Sequence, residues 1–395
     1  MRVQFDGRAF DYQTLRALAY TTFGGAEPGE VFVTTGRILD GDTEAWYREW
    51  RATAGRVERA AREAGEAGRD RTARGAFLRA HTYYRTAEFF LPSDDPRRPP
   101  TYERSRDCFR EGTARLETAP ERLAIPYEDG TLPGYLFTPT AGEGPYPTVV
   151  CLGGFDSLAE ELYFLCGVPE ALARGYAVVL FEGPGQGEPL REQGLTARPD
   201  WEHVVGPVLD HLDGRPELDG ERVGLVGVSF GGYYAPRAAA FDDRVAAVVA
   251  FDHMHDLWRA SAAESPLLAR AFTYVPDVVV NTAATLAERT SVEARWLMSN
   301  SRWVFGVETA AQLQRTLREY SLSAVADRVA CPTLVLAGED DHFVPLSLAS
   351  EFADLVGGPA TLRVFRTEEG AGEHCQVGNL SLAVGEIYDW LDETL

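Results

Sequence analysis

The sequence predicts an α/β protein: a mostly parallel, doubly wound sheet behind an N-terminal helical layer, with a helical lid insertion. Three observations lead there. Before about residue 120, apolar residues recur at helical spacing and no strand-like run occurs. After residue 121, short β-branched runs alternate with segments of helical length, as in parallel strands joined by crossover helices. Finally, the stretch between Phe251 and Thr333 is far too long for an ordinary crossover and has no strand signal. The predicted organisation is a helical domain over residues 1–120 and a core over 121–395, with 253–325 as the insertion over the carboxyl ends of the strands.

In the first region, Asp42 is a capping residue ahead of Trp46, Trp50, Val57, Ala61 and Ala64, which follow helical spacing. A second stripe contains Ala76, Phe77, Ala80, Tyr83, Tyr84 and Ala87. The proline-rich run from Leu91 to Pro100 breaks it, and a short helix is predicted from Tyr102 to Phe109. In the second region the predicted strands are Thr148–Leu152, Ala177–Phe181, Val223–Val226, Val245–Phe251, Thr333–Leu336 and Leu362–Phe365.

Composition removes several functions. The chain has 395 residues, 45% hydrophobic and 25% charged, which is a globular balance. A formal charge of −22 repels phosphate backbones and anionic lipid, so neither nucleic acid nor a membrane surface is expected as a partner. All 38 basic residues are arginine, which excludes Schiff-base chemistry and a phosphate-loop lysine. The five cysteines (Cys108, Cys151, Cys166, Cys331 and Cys375) form no C-x-x-C pair, so reduced thiols in a cytoplasmic protein are expected. The N-terminus lacks a signal pattern and no apolar run reaches a membrane span, which points to a soluble chain.

The strongest local signal is Gly227-Val-Ser229-Phe-Gly231, directly after a strand and before a helical stretch. A G-x-S-x-G turn in that setting is so tight that glycine is needed at its flanks, and it lifts the serine hydroxyl above the sheet. A serine nucleophile needs a base and an acid to orient it, which in this fold follow in the order acid, then histidine. Asp341, on the loop after Thr333–Leu336, is the preferred acid, with Asp340 its competitor; turn formation or helix capping is the other use for either. His374, on the loop after the last predicted strand, is the expected base. His342 adjoins Asp341 in sequence and is poorly placed to pair with it. Cys375 is read as packing beside His374.

The oxyanion donors are expected to be the backbone N–H groups of Phe230 and Phe155, the latter on the Gly153-Gly154 loop. Asp252-His253-Met254-His255-Asp256 has no further metal-ligand partners in the pattern, so Asp252 and His255 are expected to face substrate, or the segment to fix the insertion by hydrogen bonds. Gly183-Pro-Gly-Gln186-Gly187 lacks the lysine and spacing of a phosphate loop and is read as a structural turn. No cofactor or metal is expected.

Together Gly153-Gly-Phe-Asp-Ser157, Glu182-Gly-Pro-Gly-Gln-Gly-Glu188, Gly227-Val-Ser-Phe-Gly-Gly232, Gly338-Glu-Asp-Asp341 and Gly372-Glu-His-Cys375 resemble an α/β-hydrolase family. It is the one that includes 2,6-dihydroxypseudooxynicotine hydrolase and the fungal pigment polyketide-shortening hydrolases. The resemblance spans nearly the whole chain, loosely before residue 120, and departs at Glu182, where the family usually has Asp. It implies Ser229, Asp341 and His374 as a triad, and hydrolysis of a carbon–carbon bond beside a ketone. It also implies a homodimer acting on a small aromatic or polyketide-like molecule. An esterase, thioesterase or acyl-transfer cyclase with the same triad remains open, as does a binding protein on a hydrolase fold.

Overall fold

The computed structural model describes residues 1–262 and 275–395. The chain divides into two compact units, Met1–Pro120 with Glu288–Asn300 and Glu121–Ala287 with Ser301–Leu395.

The first unit is helical. Asp42 caps helix Thr43–Glu66 by accepting the Ala45 N–H at 2.9 Å. The stripe Trp46, Trp50, Val57, Ala61 and Ala64 is buried along it, and the Ala76-to-Ala87 stripe along helix Asp70–Glu88. Helix Arg98–Thr113 starts earlier than the sequence predicts, because Pro99 and Pro100 occupy its first turn, where a missing N–H breaks no helical bond. Helices Arg8–Ala19 and Pro28–Thr35 are additional. In the first of these, the buried Asp11 carboxylate accepts the N–H groups of Val3, Gln4 and Phe5, folding the terminal chain onto it. The aromatic side chains of this unit are mostly core. Trp46 lies 4.8 Å from Phe10, 5.2 Å from Phe90 and 5.7 Å from Trp50, centroid to centroid, and its indole N–H donates to the Thr86 carbonyl at 2.7 Å.

The described residues of the second unit form eight strands: β1 Glu121–Tyr127, β2 Gly130–Phe137, β3 Tyr146–Leu152, β4 Ala177–Phe181, β5 Leu218–Val228, β6 Ala247–Phe251, β7 Thr333–Gly338 and β8 Ala360–Phe365. Their order in the sheet is β1-β2-β4-β3-β5-β6-β7-β8. Pairing is parallel from β4 through β8, while β1–β2 and β2–β4 are antiparallel. Every residue of β4 and β6 is buried, which is why those strands read as continuous apolar runs. The hairpin β1–β2 escapes the sequence reading, since β1 alternates exposed and buried residues and contains Pro126. The chain runs from β3 outward to β4 and then back across to β5, so the loops after β3 and β5 diverge and leave a crevice at the carboxyl edge.

Between β6 and β7 the described residues form helices Leu257–Ala262, Asp277–Thr290, Val292–Phe305 and Ala310–Leu317. Residues 263–274 of the predicted insertion lie outside the described residues. The insertion is not one block, because Glu288–Asn300 groups with the N-terminal helices. Among the described residues, no helix is long and apolar enough to cross a membrane.

Trp46 tests the helical core. Trp46→Ala removes a fully buried ring and the indole N–H given to the Thr86 carbonyl, so urea unfolding is expected to show a loss of about 3–5 kcal/mol. A loss below about 1 kcal/mol would contradict this account of the packing.

Candidate active site

β5 ends at Val228, and Ser229 turns into helix Gly231–Ala239 with φ +59°. That left-handed value costs a serine conformational energy, and it persists because the surroundings dictate it. A Cβ at Gly227 would collide with the Gly231 carbonyl, and one at Gly231 with the Leu152 carbonyl. The Ser229 N–H donates to the Phe251 carbonyl at 2.7 Å, anchoring the turn to the end of β6.

His374 lies on the loop after β8. Its Nε2 is 2.8 Å from Ser229 Oγ and its Nδ1 is 2.7 Å from Asp341 Oδ2. Asp341 follows β7 and is fixed by the N–H groups of Phe343 and Val344, which donate to Oδ1 at 2.7 and 3.1 Å. With Nδ1–H given to Asp341, Nε2 is left to accept the Ser229 proton. Burial pushes Asp341 up, but His374 and the two N–H donors outweigh it and hold the carboxyl below its usual range. Burial opposes a charged His374, yet the Asp341 carboxylate holds the imidazole well above its ordinary value. Asp340, the competing acid, is exposed and accepts the Thr367 hydroxyl at 2.6 Å instead. His342 faces the Phe343 ring at 4.0 Å. Burial raises the Cys375 thiol, so it is no thiolate nucleophile and packs beside His374.

The loop after β3 is pressed against the serine turn. A Cβ at Gly154 would stand 3.0 Å from Ser229 Cβ and 3.2 Å from the Phe230 nitrogen. The main chain leading to Phe155 thus runs beside the start of the helix that Phe230 opens. Gln186 holds it there, its Nε2 donating to the Gly153 and Gly154 carbonyls at 2.7 and 3.3 Å while Oε1 accepts the Gly183 N–H at 3.0 Å. The Gly-rich turn is therefore a brace for this loop, and its one long polar residue was the available signal. Behind it Glu182 accepts the N–H groups of Ala159 and Glu188 at 3.0 and 2.7 Å. Burial and the neighbouring Glu160 push Glu182 up to about 8. In front, the rings of Phe155 and Phe230 each lie 6.0 Å from Phe305, which meets Tyr320 at 5.3 Å. These side chains pack into an aromatic cluster that starts at the residue after Ser229.

Of the two uses expected for the segment of Asp252 and His255, facing substrate or fixing the insertion by hydrogen bonds, the structure shows bonds: the His255 carbonyl accepts the N–H of Leu322, near the end of the insertion, at 2.7 Å. Asp252 and His255 are both fully buried. Asp252 accepts the Cys375 N–H and the Gln376 amide, and its Oδ2 is 3.3 Å from His374 Nδ1. His255 stacks 5.6 Å from Phe352 and 5.8 Å from His253, and burial holds it below its usual value. The reason is the strand: β6 lies inside the sheet, so the loop after it enters the protein under the serine turn. Asp252, His374 and Cys375 bring three potential metal-ligand atoms within 4.8 Å. The donors that Asp252 accepts and the Asp341 carboxylate on Nδ1 make this a hydrogen-bond network rather than a cation cage.

A serine-bearing turn after the fifth strand, with an aspartate and a histidine after the last two, defines an α/β-hydrolase. The chain belongs to the FrsA-like esterase family, whose model matches residues 38–349. It is 38% identical to the hydrolase LUC6 of Fusarium sp. over 99% of this chain and 97% of that one. It is 37% identical to the 20-hydroxy-prefusarin hydrolase of Gibberella moniliformis, covering 100% and 98%. Among solved structures it is similar to 2,6-dihydroxy-pseudo-oxynicotine hydrolase, with a TM-score of 0.77, 25% identity and coverage of 96% and 95%. The protein is a hydrolase.

Gln186→Leu keeps the volume but removes the donor to two buried carbonyls. It is expected to cost about 1–3 kcal/mol in urea unfolding. An unchanged midpoint would show that the loop does not depend on this side chain.

Proposed function

We propose that the chain is a serine hydrolase that cleaves a carbon–carbon bond beside a ketone in an aromatic or polyketide-like small molecule. The observation that carries the reading is the hydrogen-bonded line from Ser229 Oγ through His374 to Asp341. Ser229 Oγ attacks the ketone carbon and its proton passes to His374 Nε2. The backbone N–H groups of Phe155 and Phe230 receive the oxyanion. Collapse breaks the bond between the carbonyl carbon and its neighbour, whose electron pair leaves as an enolate or ring-delocalised carbanion. His374 returns the proton to that carbon. Water, deprotonated by His374, then attacks the acyl-enzyme and releases a carboxylic acid and free Ser229.

The bond type is supported by the resemblance to 2,6-dihydroxypseudooxynicotine hydrolase, and the substrate class by that resemblance together with the similarity to the 20-hydroxy-prefusarin hydrolase. A second reading, simple ester hydrolysis by the same residues, is favoured by the family description as esterases.

Intact-mass spectrometry after treatment with a small fluorophosphonate tests the nucleophile. One adduct is expected on the natural protein and none on Ser229→Ala. A folded natural protein that stays unlabelled would overturn the reading. Assays on 1,3-diketones and aryl ketones beside short p-nitrophenyl esters test the bond: turnover of esters with no ketone cleavage would replace the first reading with the second.

A further inference from the structure

His374 is flanked by two carboxylates. Asp341 Oδ2 is 2.7 Å from its Nδ1, and Asp252 Oδ2 is 3.3 Å from the same nitrogen. The side chains of His374, Asp252 and Asp341 are 4%, 1% and 2% exposed, so water does not screen this group. Asp252 also holds the turn that carries the imidazole. Cys375 and Gln376 follow His374 with φ of +51° and +45°, two consecutive non-glycine residues in the left-handed region. Such a pair is unfavourable unless something holds it. The Asp252 carboxylate accepts both the Cys375 N–H and the Gln376 side-chain amide, at 3.1 Å for the latter. Its place in the chain matters too, because the preceding carbonyl, Phe251, accepts the Ser229 N–H at 2.7 Å. Two consecutive residues thus tie the serine turn and the histidine turn to the end of β6.

We propose that Asp252 is a positioning residue for His374: it pins the left-handed turn that presents the imidazole and shares the Nδ1 proton with Asp341. This rests on the serine-hydrolase reading above. The charged and titratable groups facing Asp252 are Asp341, His374 and Cys375, with His253 beside it on the same loop. Burial first, and then the charge of Asp341, pushes Asp252 up to about 7. Burial and the neighbouring His255 drive His253 down to about 3, so His253 stays neutral and adds no charge. Asp341 is the carboxylate that stays ionised. Asp252 gains or loses its charge across the neutral range, and its ionised form favours the imidazolium.

The test compares the natural chain with Asp252→Asn, Asp341→Asn and the double variant, reading kcat/KM for a short p-nitrophenyl ester against pH. Removing a negative charge beside the imidazole lowers the pKa of His374. The acidic limb of the Asp252→Asn profile is therefore expected to move to lower pH by about half a unit or more. A residue that only braces the turn lowers the rate without moving the limb. In a triad with a single acid, Asp→Asn costs about 10⁴-fold; with Asp252 in reserve, Asp341→Asn is expected to cost about a hundredfold, and adding Asp252→Asn at least tenfold more. An unmoved limb, or an Asp341→Asn variant already at the 10⁴-fold loss, overturns the proposal. Should Asp252→Asn not fold, the size of the Asp341→Asn loss decides alone. Ester turnover that survives Ser229→Ala would instead overturn the underlying reading, so the two failures are distinct.

Discussion

Where β5 turns into its helix there is no room for a side chain at either flank of Ser229, and the rest of the site is arranged around that constraint. Gly227 and Gly231 face one another across the turn, and Gly231 abuts the last carbonyl of β3. The close packing forces Ser229 to φ +59° and brings the loops after β3 and β6 into contact with it. Rigidity is the gain. A hydroxyl on a turn that cannot relax needs only small adjustments from its partners, and pre-set geometry is where much catalytic effect originates.

Around that turn the buried acids are held by N–H and O–H donors. Asp341 takes two backbone N–H groups and His374, Asp252 takes Cys375 and Gln376, Glu182 takes Ala159 and Glu188, and Glu160 takes the Tyr135 hydroxyl at 2.8 Å. A guanidinium beside His374 would suppress its basicity, whereas neutral donors fix a carboxylate and leave its charge for the imidazole. Much of the net charge of −22 belongs to the surface, where many of the arginines sit in exposed ion pairs of small worth.

Legibility followed burial. β4 and β6, covered on both faces, are unbroken apolar runs, and the stripe from Trp46 to Ala64 has one dry side. The hairpin β1–β2 was not legible, because half of β1 faces solvent and its alternation is short and interrupted by Pro126. Helix Arg8–Ala19 escaped for another reason: the long-range bonds of Asp11 help to fix it, and its own apolar stripe is weak. Within the site, Ser229, Asp341 and His374 were legible because each follows a strand in a fixed order. The roles of Gln186 and Asp252 were not, since each acts on main chain brought to it from elsewhere.

The sequence by itself determined the α/β class, the helical first region and the serine turn, because these depend on local periodicity and on glycines that no other residue can replace. Only the tertiary structure decided which acid meets His374, that Asp252 faces inward rather than toward substrate, and that residues 288–300 join the N-terminal helices. The physical reason is separation along the chain. His374 lies 145 residues from Ser229, and Cys375 lies 123 from the Asp252 it bonds; such contacts exist only once the sheet has brought its carboxyl ends together.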